Sequence, residues 1–234
     1  MTRTALHPHT LEELDIVKWE LKYKAIDIKP LCPVCRKELF IRASSTPAKA
    51  SHFVHYKNSG CPTIDENRKK YEGLRPVEMD FKNAKKIKKE FINNMWLVYQ
   101  KCNSLCSEDP NKKGLNQKQF KKMVDKATEN DIWYYKGLTL EYLPYVLLVN
   151  YGVFRELKRK CYFVFDSKLT NYDDLWTKGK VKKKIWKVYY EDNDVKGINI
   201  DFNTSDIATD YFMFYVLGLQ QNKKEEKFFE MCEI

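Results

Sequence analysis

The fold is decided first by residues 31–61, which read LCPVCRKELFIRASSTPAKASHFVHYKNSGC. Their cysteines and histidines follow the pattern C-x2-C-x16-H-x2-H-x5-C. Two cysteines separated by two residues can place both sulfurs on one ion from a single tight turn, and Zn²⁺ takes four nitrogen or sulfur ligands at tetrahedral corners. The chain has 7 cysteines, an odd number, and three of them lie beside histidines, which favours metal binding over a disulfide framework. The spacing therefore predicts one structural zinc ion.

The pattern offers five candidate ligands for four positions: Cys32, Cys35, His52, His55 and Cys61. Residues 39–42 and 50–55 are expected to form a small hairpin. On a strand, His52 and His55 would face opposite sides, so one of the two completes the site. His55 is preferred because its five-residue gap to Cys61 resembles a second knuckle, and His52 stays the alternative fourth ligand.

Positive charge is concentrated in the first 130 residues. Residues 1–61 carry 10 Lys+Arg against 6 Asp+Glu, residues 62–130 carry 16 against 10, and residues 131–234 carry 16 against 16, which gives +4, +6 and 0 for the net charge of +10. Such a one-sided surface favours polyanionic partners, nucleic acid first. A solvated lysine-rich surface without a partner is the other interpretation.

Apolar periodicity predicts two helices in this basic region. Residues 75–102 carry apolar side chains at three- and four-residue steps, starting with Val77 and Phe81, which predicts one long amphipathic helix. Four lysines of this helix lie mostly off the apolar stripe and are candidate nucleic-acid contacts: Lys85, Lys86, Lys88 and Lys89. A second helix is expected from Asn116 to about Glu129. Residues 10–13 could form the capping box of a short helix, but residues 15–26 also show the partial alternation of a strand, and both structures stay open.

The last hundred residues are rich in aromatic side chains and predict the main core. Residues 140–152 are expected to form a buried helix that either is interrupted or begins near Pro144. Three strands are expected at residues 161–165, 184–191 and 197–202. Helices are expected from Thr204 or Ser205 to Leu219 and at residues 223–232. The prediction is an α+β protein with a zinc-ribbon-like module at residues 1–70 and a second domain at residues 71–234, basic and helical to residue 130 and aromatic-rich beyond.

A second basic patch lies between the last strands. Several lysines, including Lys182, Lys183 and Lys184, are interleaved with Trp176 and Trp186. An exposed Trp186 could stack on a base while the lysines contact phosphates, but the tryptophans could equally point into the core. Cys102 and Cys106 are expected to be ordinary buried thiols, and the aromatic run at residues 211–215 indicates deep burial or an oligomer interface.

The zinc motif resembles a known family. Cys-Pro-Val-Cys at 32–35, Leu-Phe-Ile-Arg at 39–42, His-Phe-Val-His at 52–55 and then Cys61 resemble the N-terminal zinc module of the competence protein CoiA family. The likeness covers about residues 30–62. It implies a role in DNA processing, in DNA uptake, in defence against foreign DNA or in a mobile element. It also implies a restriction-endonuclease-like domain that binds Mg²⁺ through acidic residues.

The family's catalytic pattern is only weakly matched. Glu78 could take the place of the family's helix glutamate, with Lys82 where a histidine would be expected, and Asp166 and Lys168 follow a predicted strand. Two-carboxylate chemistry needs a further acid beside Asp166 to hold Mg²⁺. A turn role for Asp166 is therefore preferred.

Three functions remain open from the sequence. The first is a zinc-containing protein that binds nucleic acid without catalysis; the others are a divergent Mg²⁺-dependent nuclease and a protein-interaction subunit of a larger complex. The absence of a long apolar run and of a signal-like N-terminus predicts a cytoplasmic protein that does not bind membranes. Loss of a zinc ligand is expected to unfold the N-terminal module and to leave the aromatic half folded.

Overall fold

The computed structural model describes residues 3–200, except residues 24, 43–50, 108–113, 156, 167, 179–182 and 192–193. The predicted helices after residue 203 lie outside the described part of the chain, as do the aromatic run at 211–215 and the end of the strand predicted at 197–202. Helices and antiparallel strands occur together, and the predicted α+β class is confirmed. The described residues divide into two units, one formed by residues 3–74 with 152–199 and the other by residues 75–151 with Ile200.

In the first unit, the N-terminal residues form a short hairpin and a helix. Strand β1 (Thr4–Leu6) pairs antiparallel with β2 (Glu13–Asp15), and α1 (Ile16–Tyr23) follows directly. Residues 16–23 are therefore a helix and not the alternative strand, and the expected cap at residues 10–13 is replaced at its end by β2. Leu6 exchanges two backbone hydrogen bonds with Leu31, of 2.8 and 2.9 Å, which brings the start of the cysteine motif beside β1.

The same unit contains two further antiparallel sheets. Strands β3 (Leu39–Arg42) and β4 (His52–His55) form the predicted hairpin. The larger sheet has the order β5-β6-β7-β8, formed by the strands Val153–Phe154, Cys161–Phe165, Lys184–Tyr189 and Val195–Asn199. The strand at 161–165 is confirmed, and the next two are confirmed with shifted ends. A four-residue helix, α7 (Asp174–Thr177), lies between β6 and β7.

The cysteine motif and the larger sheet share one hydrophobic core. Val34, Leu39 and Phe53 from the motif are at most 1% exposed. They belong to a single buried cluster with side chains from one face of the sheet, namely Tyr162, Val164, Trp186, Val188 and Val195. Residues 152–199 therefore pack with residues 1–74, whereas the sequence prediction had assigned them to a second domain. Sequence periodicity cannot show this, because it carries no information about which distant strand covers which hairpin.

Helix α2 (Asp65–Glu72) is tied to this sheet region by tyrosine hydroxyls. Tyr71 Oη donates to the Leu169 carbonyl at 2.7 Å, and Tyr162 Oη donates to the Thr63 carbonyl at 2.7 Å. Arg68 is only 4% exposed; it pairs with Asp65 at 2.7 Å, and its guanidinium lies 4.9 Å from the Tyr162 ring centre. These two hydrogen bonds satisfy buried polar groups that lie about a hundred residues apart in the sequence.

The second unit is helical in its described part. It contains α3 (Phe81–Asn93), α4 (Met95–Cys106), α5 (Gln117–Glu129), a 3-10 turn at Ile132–Tyr134 and α6 (Leu143–Tyr151). The helix predicted from Asn116 is confirmed, with a capping box between Asn116 and Gln119, and so is the buried helix that begins near Pro144. Its core includes Phe91, Phe120, Trp133 and Leu147, each 0% exposed.

The single long helix predicted for residues 75–102 is wrong in two respects. Residues 75–80 precede the helix, which begins at Phe81 after Asp80 caps it by accepting a 2.9 Å hydrogen bond from the Asn83 N–H. The helix then breaks at Asn94, whose φ of −124° and ψ of 18° are not helical and whose side-chain amide bonds the Glu90 carbonyl at 2.8 Å. The apolar steps continue through the break, so periodicity alone does not reveal it.

Candidate metal centre and basic surface

The first knuckle brings Cys32 and Cys35 together. The chain turns through residues 33–35 and reverses at Arg36, whose φ is 61°. The Arg36 N–H donates to the Cys32 carbonyl at 2.9 Å, and Cys32 Sγ accepts from the N–H groups of Val34 and Cys35 at 3.4 and 3.5 Å. N–H groups aimed at a sulfur stabilise it as a thiolate, the form that binds a metal.

The β3–β4 hairpin decides between the two histidines. Leu39 pairs with His55 beside the knuckle, whereas Arg42 pairs with His52 at the far end. A separation of three residues on a strand corresponds to about 10 Å, so His52 lies away from the knuckle. His55 Nε2 is 3.5 Å from Cys35 Sγ, and His55 is the histidine that belongs to the cluster.

Cys61 reaches the cluster from a second tight turn. Asn58 and Gly60 both have positive φ, of 61° and 70°, and Lys37 donates to the Ser59 carbonyl. Cys61 Sγ lies 3.0 Å from Thr63 Oγ1, and the Asn67 side chain donates to the Cys61 carbonyl at 3.1 Å, which ties the turn to α2. Lys37 and Asn67 thus hold the loop on both sides of the ligand.

Together these turns form a cluster with the dimensions of a tetrahedral metal site. One ligand atom from each of Cys32, Cys35, His55 and Cys61 lies within 4.8 Å of the other three. Zn–S and Zn–N bonds of about 2.3 and 2.0–2.1 Å imply tetrahedral edges of about 3.8 Å between sulfurs and about 3.6 Å between sulfur and nitrogen. The Cys32–Cys61 sulfur distance is 3.9 Å and the Cys35–His55 distance is 3.5 Å. The cluster can therefore hold a metal ion.

The electrostatics of the cluster favour a cation. Hydrogen bonds from Cys32 and Cys35, with a further contribution from His55, hold the pKa of the Cys61 thiol far below its ordinary value. Hydrogen bonds with Cys35 and Cys61 raise the pKa of the Cys32 thiol, and burial raises it further. Three buried sulfurs thus compete for negative charge at close range. A divalent cation at their centre allows all three to ionise.

The residues proposed for catalysis do not form a comparable cluster. Asp166 follows β6 and its carboxylate accepts a 3.2 Å hydrogen bond from the Lys168 N–H, while Lys168 itself is exposed. Glu78 is exposed and lies in the other unit. Within the described ranges, no second group of three or more His, Cys, Asp or Glu side chains is close enough to share an ion. Asp166 has the contacts of a turn residue.

In the second predicted basic patch, the described residues 183–187 are buried or half-buried. Trp186 is 5% exposed within the shared core, so its ring is not available to a base, and the predicted stacking role for Trp186 is wrong. Lys184 Nζ lies 5.6 Å from the centre of that ring, Lys183 donates to the Leu175 carbonyl, and Lys187 is 2% exposed. Burial lowers the pKa of Lys183. Lys182 lies outside the described residues.

The lysines of α3 form a continuous exposed stripe. Lys85, Lys86 and Lys89 are exposed, as is Lys82, which the sequence analysis did not select as a nucleic-acid contact. These four residues follow the spacing i, i+3, i+4, i+7 and share one helix face. Lys88, also predicted as a contact, is instead half-buried, with Nζ 5.6 Å from the centre of the Tyr134 ring. Lys82 could have been found from the helical spacing alone.

The predicted ordinary thiols Cys102 and Cys106 are buried, and none of the described cysteines forms a disulfide. Burial raises the pKa of the Cys102 thiol, and its sulfur lies 3.7 Å from the Pro144 carbonyl oxygen. A protonated, enclosed thiol of this kind is unreactive.

No protein-family model, curated protein or solved structure matches the chain. Among the helices that the structure describes, none combines the length and the apolar content needed to cross a bilayer.

Proposed function

We propose that this chain is a zinc-stabilised protein that binds nucleic acid through the lysine stripe of α3, defined as Lys82, Lys85, Lys86 and Lys89. The zinc ion has a structural role and the helix contacts phosphate groups. The exposed stripe is the observation that carries the binding function.

Zinc is the metal that suits the donor set. Three thiolates and one imidazole form a closed set of four ligands, as in structural zinc sites, whereas Mg²⁺ and Ca²⁺ require oxygen donors. Cys32 and Cys61 are 0% exposed and Cys35 is 9% exposed, which leaves no open coordination position for a substrate. The ion therefore shapes the hairpin and is not a catalyst.

The stripe has the charge and the length of a phosphate-binding surface. Helix α3 carries five lysines against one glutamate. In the part of the chain that the structure describes, Lys82, Lys85 and Lys89 make no ion pair, and Lys86 is 3.8 Å from Glu90. From Lys82 to Lys89 the stripe is about 10 Å long, a span over which duplex DNA carries about six phosphate charges. Unneutralised lysines in a row bind such a polyanion by releasing its counterions.

The likeness of the cysteine motif to the CoiA family supports a setting in DNA uptake, DNA processing or defence against foreign DNA. This setting makes DNA the first nucleic acid to test.

The test compares two quadruple variants of equal charge. In the first, the four lysines of the stripe are replaced by glutamine; in the second, glutamine replaces four exposed lysines that already pair with carboxylates, Lys18, Lys22, Lys29 and Lys69. Binding of a labelled DNA is measured by fluorescence anisotropy as salt rises from about 50 to about 200 mM.

The stripe variant is expected to lose affinity and to lower the slope of log affinity against log salt by about 2.8 to 3.6, because each phosphate contact contributes about 0.7 on single strands and about 0.9 on duplex DNA. The control variant should retain most of the affinity. Equal losses in the two variants would show that net charge, and not the stripe, attracts the DNA, and would refute the proposal.

A further inference from the structure

An exposed aromatic ring lies at the N-terminal end of the lysine stripe. Phe81, the first residue of α3, is 68% exposed. Its ring meets the Tyr134 ring edge to face, with centroids 5.2 Å apart and an interplanar angle of 68°. Lys85 stands one helical turn from Phe81, so the ring and the stripe occupy adjoining parts of one surface.

The backbone under this ring is firmly held. The Asp80 N–H donates to the Tyr134 carbonyl at 2.9 Å, and Met79 forms a strand-like bridge with Tyr135. The Asn83 side chain donates to the Tyr135 and Leu138 carbonyls at 3.0 and 3.2 Å. Phe81 is thus presented on a fixed support, which lowers the conformational entropy lost when a ligand covers it.

We propose that Phe81 is a stacking platform for an unpaired base and that the stripe prefers single-stranded nucleic acid to duplex. This inference rests on the proposed function and names its ligand class. In a duplex both faces of every internal base are already stacked, so a protruding ring gains little there. A single strand can lay one base on Phe81 while its phosphates follow Lys82, Lys85 and Lys89. A phenyl ring offers no hydrogen bond, so the stacking is tolerant of sequence.

The charge around Phe81 argues for this ligand over an apolar protein partner. The exposed part of α3 that adjoins the ring is lysine, and the Lys88 ammonium lies 5.6 Å from the Tyr134 ring that supports Phe81. Aromatic faces set among cations are the arrangement that binds single strands in other folds. An apolar partner would have to desolvate these ammonium groups without compensation.

The experiment measures anisotropy of labelled oligo(dT) and of a duplex of the same length with the wild-type protein and three variants. Phe81→Ala removes the platform, Phe81→Trp keeps an aromatic face, and Val77→Ala is the matched control, because Val77 is also apolar and is 92% exposed in the segment before α3. Phe81 is exposed, so none of these changes removes a core side chain; circular dichroism checks the helix content of each variant.

Wild-type protein is expected to bind oligo(dT) more tightly than duplex. Phe81→Ala should weaken oligo(dT) binding by about 5- to 150-fold, the range that corresponds to the loss of one stacked base, with little change for duplex. Phe81→Trp should bind oligo(dT) with about the wild-type affinity, and oligo(dT) should quench the fluorescence of the added tryptophan. Val77→Ala should leave both affinities unchanged.

Two outcomes overturn the inference, and they can be told apart. If oligo(dT) and duplex bind equally and Phe81→Ala changes neither affinity, the platform is refuted while the phosphate-binding stripe stands. If no oligonucleotide binds, the proposed function fails together with this inference.

Discussion

Removal of the metal should unfold the larger sheet together with the cysteine motif. Sequence reasoning predicts that only the N-terminal module depends on zinc, but the structure places Val34, Leu39 and Phe53 in one buried cluster with side chains of β6 and β7. We therefore expect the strands at 161–165 and 184–189 to lose their protection when the ion is withdrawn. The helices of residues 81–151 belong to the other unit and should keep theirs.

The magnitude follows from the burial of the hairpin and the knuckle. Full burial of a large apolar side chain contributes about 1.5–3 kcal/mol, so detachment of the three side chains removes up to about 5–9 kcal/mol from the sheet's core. The apparent free energy of structural zinc binding is about 10–16 kcal/mol, and a whole domain is stable by only about 5–15 kcal/mol. Loss of the ion therefore removes a free energy at least as large as the whole free energy of unfolding expected for the first unit.

Hydrogen exchange read by mass spectrometry measures this directly. Protein treated with a chelator under reducing conditions is compared with untreated protein, and elemental analysis confirms that the metal has left. Exchange in peptides that cover β6 and β7 should accelerate by at least about 10³-fold, as expected if an opening free energy of about 5 kcal/mol is lost. Peptides from α5 and α6 should be unchanged.

A pair of histidine variants provides the matched control. His55→Gln removes a ligand and should reproduce the effect of the chelator, whereas His52→Gln alters the other end of the same hairpin and should retain one metal per chain. Metal-free protein in which β6 and β7 exchange as slowly as before would refute the reasoning, because the shared core would then be stable without the ion.

Three further results are expected. Gly197→Ala should destabilise the first unit by about 1–3 kcal/mol in urea unfolding, because a Cβ there would lie 2.9 Å from the Trp186 ring, and the loss should shrink in a Trp186→Phe background. Burial raises the pKa of Tyr71 to about 12, so its neutral form is favoured in the fold; this stability is complete below about pH 10 and is lost as pH rises towards 12, by about 1.4 kcal/mol per pH unit. Tyr71→Phe should therefore flatten the alkaline dependence of unfolding, and an unchanged slope would contradict this cause. Asp166→Asn should leave DNA affinity and any Mg²⁺-dependent cleavage unchanged, because the carboxylate accepts a hydrogen bond in a turn, and loss of cleavage in this variant would revive the nuclease interpretation.

The metal cluster could be predicted from the sequence because its chemistry is local. Cys32 and Cys35 share one turn, and the hairpin that returns His55 is visible in the alternation of residues 39–42 and 52–55. Strand geometry predicted that only one of the two histidines completes the site, and the five-residue gap to Cys61 favoured His55 over His52. Four ligands of two residue types, with strict requirements on their geometry, leave few alternative sites in a segment with this spacing.

The sequence did not predict which sheet packs on the β3–β4 hairpin, and it did not predict the burial of several individual side chains. Trp186 and Lys187 lie in a strand that is buried from Ile185 to Tyr189, so the lysines around them gave a false signal of an exposed patch. Phe81 fitted the apolar stripe of its helix, yet it is exposed because the helix begins there and the covering core starts at Ala84. Periodicity identifies the apolar face of a helix but does not show where along the helix that face stops being buried.

The order of the segments along the chain has a consequence for folding. Tyr71 and Leu169 are bonded across 98 residues, and Tyr162 and Thr63 across 99, with the helical unit's residues 75–151 between them. Loop-closure entropy grows only as the logarithm of length, so closing such a loop costs only about 1 kcal/mol more than closing the 29-residue loop between Cys32 and Cys61. The insertion is thus compatible with a stable core, but contacts so distant in sequence form slowly. If a metal ion binds Cys32 and Cys61 early and closes the shorter loop, the distant strands pair against a preformed apolar surface. The ion would then influence the order of folding as well as the free energy of the folded state.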